Sequence, residues 1–106
     1  MQSLKNKVAI VTGASSGIGR ATALLFAEHG AAVVLNARGS ESLEEVATTI
    51  RDNGGQAYTI TGDVAREETH EALVDAASHV FGGLDIAFNN AGTVGPIKPL
   101  ADVTAE

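Results

Sequence analysis

Four short runs of strand-forming residues alternate with three segments of helical periodicity, and each helical segment is closed by glycine. That alternation restricts the chain to an α/β architecture built on a parallel sheet. Val8 to Val11 and Ala32 to Leu35 are continuous apolar runs, the pattern of strands buried on both faces. Gln56 to Thr61, which mixes Tyr, Thr and Ile, and Ile86-Ala87-Phe88 predict two further strands. Between the strands, Ile18, Ala21, Thr22 and Leu25 share one helical face up to Gly30. Leu43, Val46, Ala47 and Ile50 follow the i, i+3, i+4, i+7 rule up to Asn53-Gly54-Gly55. Leu73, Val74, Ala77, Val80 and Phe81 form a third stripe up to Gly82-Gly83.

Right-handed crossovers turn this order into a doubly wound, Rossmann-type sheet of strand order 3-2-1-4 with three helices. In open sheets of this kind ligands bind beyond the carboxyl ends of the strands, so the loops after strands 1 and 4 hold the informative residues. A length of 106 residues allows one small domain at most, and no low-complexity tract or linker interrupts it. Residues 1–106 are therefore read as part of one Rossmann-fold domain. A strand 4 left at the margin of so short a sheet would be an exposed apolar edge.

Several function classes are disfavoured at the outset. The net charge is -6 and the seven basic residues are scattered, whereas nucleic-acid binding needs clustered Lys and Arg. No apolar run is long enough to span a bilayer, and the absence of cysteine removes disulfides and thiolate metal sites. A cytoplasmic setting with no membrane partner is the expectation. His29, His70 and His79 lack the i, i+4 partner of a helical metal site and are expected at the surface, with no metal bound. Asp52, Asp75 and Asp85 are expected to be solvated or capping.

Gly13-Ala14-Ser15-Ser16-Gly17-Ile18-Gly19 joins the first buried strand to the first helix. The letters alone admit a plain structural turn, because the spacing is Gly-x-x-x-Gly-x-Gly and not the generic Gly-x-Gly-x-x-Gly. Charge placement favours an anion site. Helix dipoles draw carboxylates to the first turn, and the second and third helices open with Glu41, Glu44, Glu45 and with Glu67, Glu68. The first helix has no acid between Gly13 and Ala27, which leaves its amino end to an external anion such as phosphate. Strand 2 ends Leu35-Asn36-Ala37-Arg38, without the carboxylate that would accept from an adenosine 2'-hydroxyl. Arg38 suits a 2'-phosphate, so NADP(H) is expected over NAD(H), although an exposed loop arginine would read the same way.

These residues resemble the short-chain dehydrogenase/reductase family in its classical branch, N-terminal portion only. Thr12 to Gly19 is similar to that branch's Thr-Gly-x-x-x-Gly-x-Gly turn, Asp63-Val64 to its adenine contact, and Asn89-Asn90-Ala91-Gly92 to its Asn-Asn-Ala-Gly signature. Without the family, the last of these is an ordinary turn. The resemblance implies that backbone amides of Gly17, Ile18 and Gly19, with hydroxyls of Ser15 and Ser16, hold the pyrophosphate. It implies that Asp63 accepts from the adenine amino group, that the Val64 amide donates to the ring, that Asn90 braces the central strands, and that Ala91 and Gly92 let the backbone approach the ribose beside the nicotinamide.

Many NADP-preferring relatives carry a basic residue where this sequence has Ser16, so Arg38 would act alone. The family's serine, its Tyr-x-x-x-Lys pair and its helix-borne asparagine have no counterparts here, and the one tyrosine, Tyr58, has Gly62 four residues on. No catalytic residue is assigned, and this stretch alone is expected to be inactive. Two functions remain: the coenzyme-binding part of an oxidoreductase acting on a carbonyl or alcohol substrate, homo-oligomeric as a longer protein, or a non-catalytic nucleotide-binding module or truncated product. Continuation of the reading frame into a Ser and a Tyr-x-x-x-Lys would favour the first.

Overall fold

The computed structural model describes residues 3–89. In chain order the elements are β1 (Val8–Thr12), α1 (Gly17–Glu28), β2 (Ala32–Ala37), α2 (Glu41–Asp52), β3 (Gln56–Thr61), α3 (Glu67–Phe81) and β4 (Ile86–Asn89). The four strands form one sheet in the order β3-β2-β1-β4, and each pairing is parallel, with Val8 beside Ala32, Ala9 beside Ile86 and Ala32 beside Gln56. The Rossmann-type order and the three helices expected from the sequence are present. Asn90, Ala91, Gly92 and the helix opening suggested by Thr104 lie outside the described residues.

Burial follows from sheet position. β1 and β2 have neighbours on both sides and helices on both faces, and every residue of both is buried, which is why their sequences are unbroken apolar runs. β3 and β4 lie at the margins of the described sheet and are only partly covered. One core cluster packs Ala9, Val11, Val33 and Leu35 against Ala23 of α1 and Leu43, Val46, Ala47 and Ile50 of α2. The other packs Val8, Ile10 and Val34 against Leu73, Ala76 and Ala77 of α3. Asp85 fastens β4 to the start of β1: its carboxylate accepts from the Val8 N–H at 2.9 Å, and its own N–H donates to the Val8 carbonyl at 2.8 Å.

Two helical faces differ from expectation. The stripe Ile18, Ala21, Thr22, Leu25 points away from the sheet, with Ile18 67% and Leu25 50% exposed. The side of α1 that meets the sheet carries Gly19 and Ala23, flanked by half-buried Phe26 and Ala27. Small residues at Gly19 and Ala23 let the helix backbone lie close to the strands, and Leu24, Phe26 and Ala27 pack at the flanks of that contact. On α3, Leu73 and Ala77 face the core as expected and Phe81 is half-buried, but Val74 and Val80 are exposed and Thr69 and Ala76 take the inward positions.

These burials give distinct stabilities. Leu43→Ala removes a fully buried side chain and is expected to cost about 2–5 kcal/mol. Ile18→Ala acts on the solvent side and is expected to change stability by no more than about 0.5 kcal/mol. Urea unfolding followed by circular dichroism distinguishes the two; comparable losses would contradict the assigned face of α1.

Candidate functional site

The ladder between neighbouring strands runs on past their carboxyl ends and stitches three loops together. The Ala14 N–H donates to the Asn36 carbonyl at 2.9 Å, and the Gly62 N–H donates to the Ala37 carbonyl at 3.0 Å. Asn36, 2% exposed, adds two side-chain bonds from Nδ2, to the carbonyls of Ile60 at 3.1 Å and Gly62 at 3.2 Å. The turn after β1, the end of β2 and the loop after β3 are thereby held side by side. On the other flank the buried Thr12 hydroxyl reaches the Phe88 carbonyl at 3.4 Å and Asn89 Oδ1 at 3.0 Å, fixing the chain just before Asn90. The sequence motifs include Thr12 and Asn36 but assign neither a role. The available signal was a polar residue ending each apolar strand, where a buried amide or hydroxyl must find partners.

Within the first turn, Gly13 and Gly17 have φ of 62° and 58°, a left-handed backbone that costs any other L-residue about 1–2 kcal/mol. A Cβ built on Gly17 would meet nothing within 4 Å, so the space above the turn is open. Ser16 occupies the N-cap position in extended conformation, and its side chain makes no capping hydrogen bond. The first intrahelical bond runs from the Arg20 N–H to the Ser16 carbonyl at 3.3 Å, which leaves the amides of Gly17, Ile18 and Gly19 without intrahelical acceptors. Ser15 is half-buried, Ser16 and Ile18 are exposed, and Gly19 is packed inward.

The electrostatics of the three helix starts differ in the sense the sequence suggested. The first turn of α1 contains no acidic residue, whereas α2 has Glu41 and Glu44 and α3 has Glu67 and Glu68. A helix amino terminus equivalent to about half a positive charge is compensated in two of them and uncompensated in the one that follows the glycine turn. Such an end can accept an anion of phosphate type.

Arg38 follows β2 directly, and Asp63 follows β3 after Gly62. The register that sets Ala37 beside Thr61 carries both loops out of the sheet together. Arg38 Nη2 lies 3.6 Å from Asp63 Oδ1, with the side chains 78% and 39% exposed; a pair so exposed is worth about 0.2–1 kcal/mol. Asp63 Oδ1 also accepts from the Ala65 N–H at 2.9 Å. Val64 is half-buried and packs against the α3-side core. Gly13 to Gly19, Arg38, Asp63 and Val64 thus lie along the carboxyl edge of the sheet, while Asn90, Ala91 and Gly92 are outside the described residues.

Other features divide from this edge. His29 is bonded to Ser3 at 3.1 Å, and His79 Nδ1 lies 3.0 Å from the Asp75 carbonyl. His70 departs from the surface position expected of it: its Nε2 is buried without a hydrogen-bond partner, because its place on α3 turns the ring toward the packed side of the helix. A concavity of about 970 Å³ opens at the opposite end of the sheet, lined in part by Lys5, Asn6, Gly30, Asn53 and Gly54. The carboxyl ends of α1 and α2 abut it, so its helix dipoles oppose an anion there.

Among the described residues no helix is long and apolar enough to cross a membrane. Comparison with known proteins identifies the architecture further. The chain is 50% identical over 98 residues to an uncharacterized oxidoreductase of Listeria monocytogenes, covering 92% of this chain and 39% of that one. It is 44% identical over 102 residues to cis-4-hydroxycyclohexanecarboxylate dehydrogenase of Sinomonas cyclohexanicum, covering 96% of this chain and 41% of that one. The crystal structure of L-sorbose reductase from Gluconobacter frateurii, complexed with NADPH and L-sorbose, superposes with a TM-score of 0.81 at 42% identity, over 89% of this chain and 36% of that chain. The chain therefore spans about 40% of the length of the curated relatives it matches. The family model for short chain dehydrogenases matches residues 7–106; with that match running along nearly the whole sequence, the chain belongs to the short chain dehydrogenase family.

Proposed function

We propose that this chain is the coenzyme-holding part of a nicotinamide-dependent oxidoreductase that prefers NADP(H) to NAD(H) and acts, within a longer cytoplasmic protein, on a carbonyl or alcohol substrate. The observation that carries the proposal is the acid-free amino end of α1, opening on clear space beside Arg38 at the same sheet edge. Supporting it, a structural relative was crystallised with NADPH and a curated relative is a dehydrogenase of a cyclic alcohol.

The residues fit such a coenzyme part by part. The amides of Gly17, Ile18 and Gly19 donate to the pyrophosphate, with Ser15 and Ser16 hydroxyls beside them. Gly13, with its left-handed backbone, provides the tight turn that precedes this amide cluster. Arg38 offers a planar fork to a 2'-phosphate, and no carboxylate on β2 competes for a 2'-hydroxyl. Asp63 accepts from the adenine amino group and the Val64 N–H donates to the ring. The family resemblance assigns the bracing of the central strands to Asn90, and the approach of the backbone to the ribose next to the nicotinamide to Ala91 and Gly92. When bound, the nicotinamide supplies or takes up the hydride exchanged with the substrate carbon. On this proposal these residues bind and orient the coenzyme, and no proton-handling role is assigned to them.

Two substitutions test the assignment. Arg38→Ala is expected to lower the ratio of NADP(H) to NAD(H) affinity by about ten- to a hundredfold, as loss of a charge-assisted contact requires; fluorescence titration with both coenzymes reads it, and an unchanged ratio contradicts the role of Arg38. Ile18→Glu places a carboxylate at the first turn of α1 on an exposed position. Thermal stability should hold or rise slightly, because the acid complements the dipole, whereas affinity for either coenzyme should fall by about tenfold or more. Unimpaired binding by that variant would remove α1 from the site.

A further inference from the structure

In the coenzyme reading above, Arg38 and Asp63 serve opposite ends of the adenosine, yet the two side chains touch. Their closest approach is 3.6 Å, Nη2 to Oδ1. The two partners are not equally anchored. Asp63 is fixed independently of the arginine: Oδ1 accepts from the Ala65 N–H at 2.9 Å, and its backbone carbonyl accepts from the Arg66 N–H at 2.9 Å. The Arg38 side chain is 78% exposed and makes no other ion pair among the described residues. The carboxylate is the fixed partner and the guanidinium the adaptable one.

We propose, resting on that coenzyme reading, that Asp63 restrains the coenzyme preference that Arg38 creates. A 2'-phosphate has to share a guanidinium that a carboxylate already holds, and the negative charge of that carboxylate lies beside the incoming dianion. NAD(H) presents a neutral hydroxyl at the same place and meets neither obstacle. Asp63 is therefore a positioning residue for specificity, acting through Arg38, in addition to any contact with adenine. Because both contacts described fall on Oδ1, Oδ2 is left as the acceptor for the adenine amino group.

Asp63→Asn removes the negative charge while the amide oxygen still accepts from Ala65; the nitrogen that replaces Oδ2 cannot accept from the adenine amino group, a loss common to both coenzymes that cancels in their affinity ratio. The measurement is the dissociation constant for NADP(H) and NAD(H) of wild type, Asp63→Asn, Arg38→Ala and the double variant, with thermal melts to check folding. Asp63→Asn should move the affinity ratio toward NADP(H) by about two- to fivefold, the size of an exposed ion pair. Most of that move should vanish in the Arg38→Ala background, and it should shrink as salt is raised. A ratio that is unchanged or falls, or that rises equally with and without Arg38, overturns this proposal and leaves the coenzyme reading standing. Wild-type protein that folds but binds neither coenzyme overturns both.

Discussion

β1 is hydrogen-bonded to a parallel strand on each side and buried on each face, and the rest of the molecule is referred to it. A strand so confined can release the chain only at its end, and the next residues must turn immediately, because the Ala14 N–H is held by the Asn36 carbonyl. Gly13 and Gly17 supply the left-handed backbone for that turn. α1 then starts close above the sheet edge, with the amides of Gly17, Ile18 and Gly19 lacking intrahelical acceptors. The position of the proposed anion site is thus a consequence of how the central strand is packed.

Electrostatics give the same edge its sign. The three helices run the same way relative to the parallel strands, so all three amino ends gather near the carboxyl ends of the strands. Two of those ends carry glutamates that satisfy the dipole internally, and one does not. Selection of a single uncompensated terminus, adjoining the end of β2 and its arginine, concentrates positive potential within a protein whose net charge is -6. On the proposed reading, a phosphate-bearing ligand docks at that edge against the overall charge.

Much of this was legible in the sequence because the signals were local. Unbroken apolar runs identified β1 and β2, glycine closed each helix, and the distribution of acids singled out α1. The faces of α1 were misjudged because periodicity ranks bulky side chains first: Ile18 and Leu25 outweigh Gly19 and Ala23, although close approach to a sheet selects the small ones. Val74 and Val80 on α3 illustrate the same bias. His70 is expected at the surface because it lacks the i, i+4 partner of a metal site, whereas its buried Nε2 depends on which way α3 is rotated. The Arg38–Asp63 contact and the bond from Val8 to Asp85 could not be read at all, since each joins residues distant in the chain that meet only through strand register.

On the proposed reading, the amides of Gly17, Ile18 and Gly19 are the docking point for a diphosphate. Amide-resolved NMR of the folded protein, titrated with NADP(H), tests it most directly. Saturable shifts that are largest at those three amides, with smaller ones at Arg38 and Asp63, are the predicted result. Saturation with those three resonances unmoved, or with the shifts gathered around Lys5, Gly30 and Gly54 at the opposite end of the sheet, would contradict it.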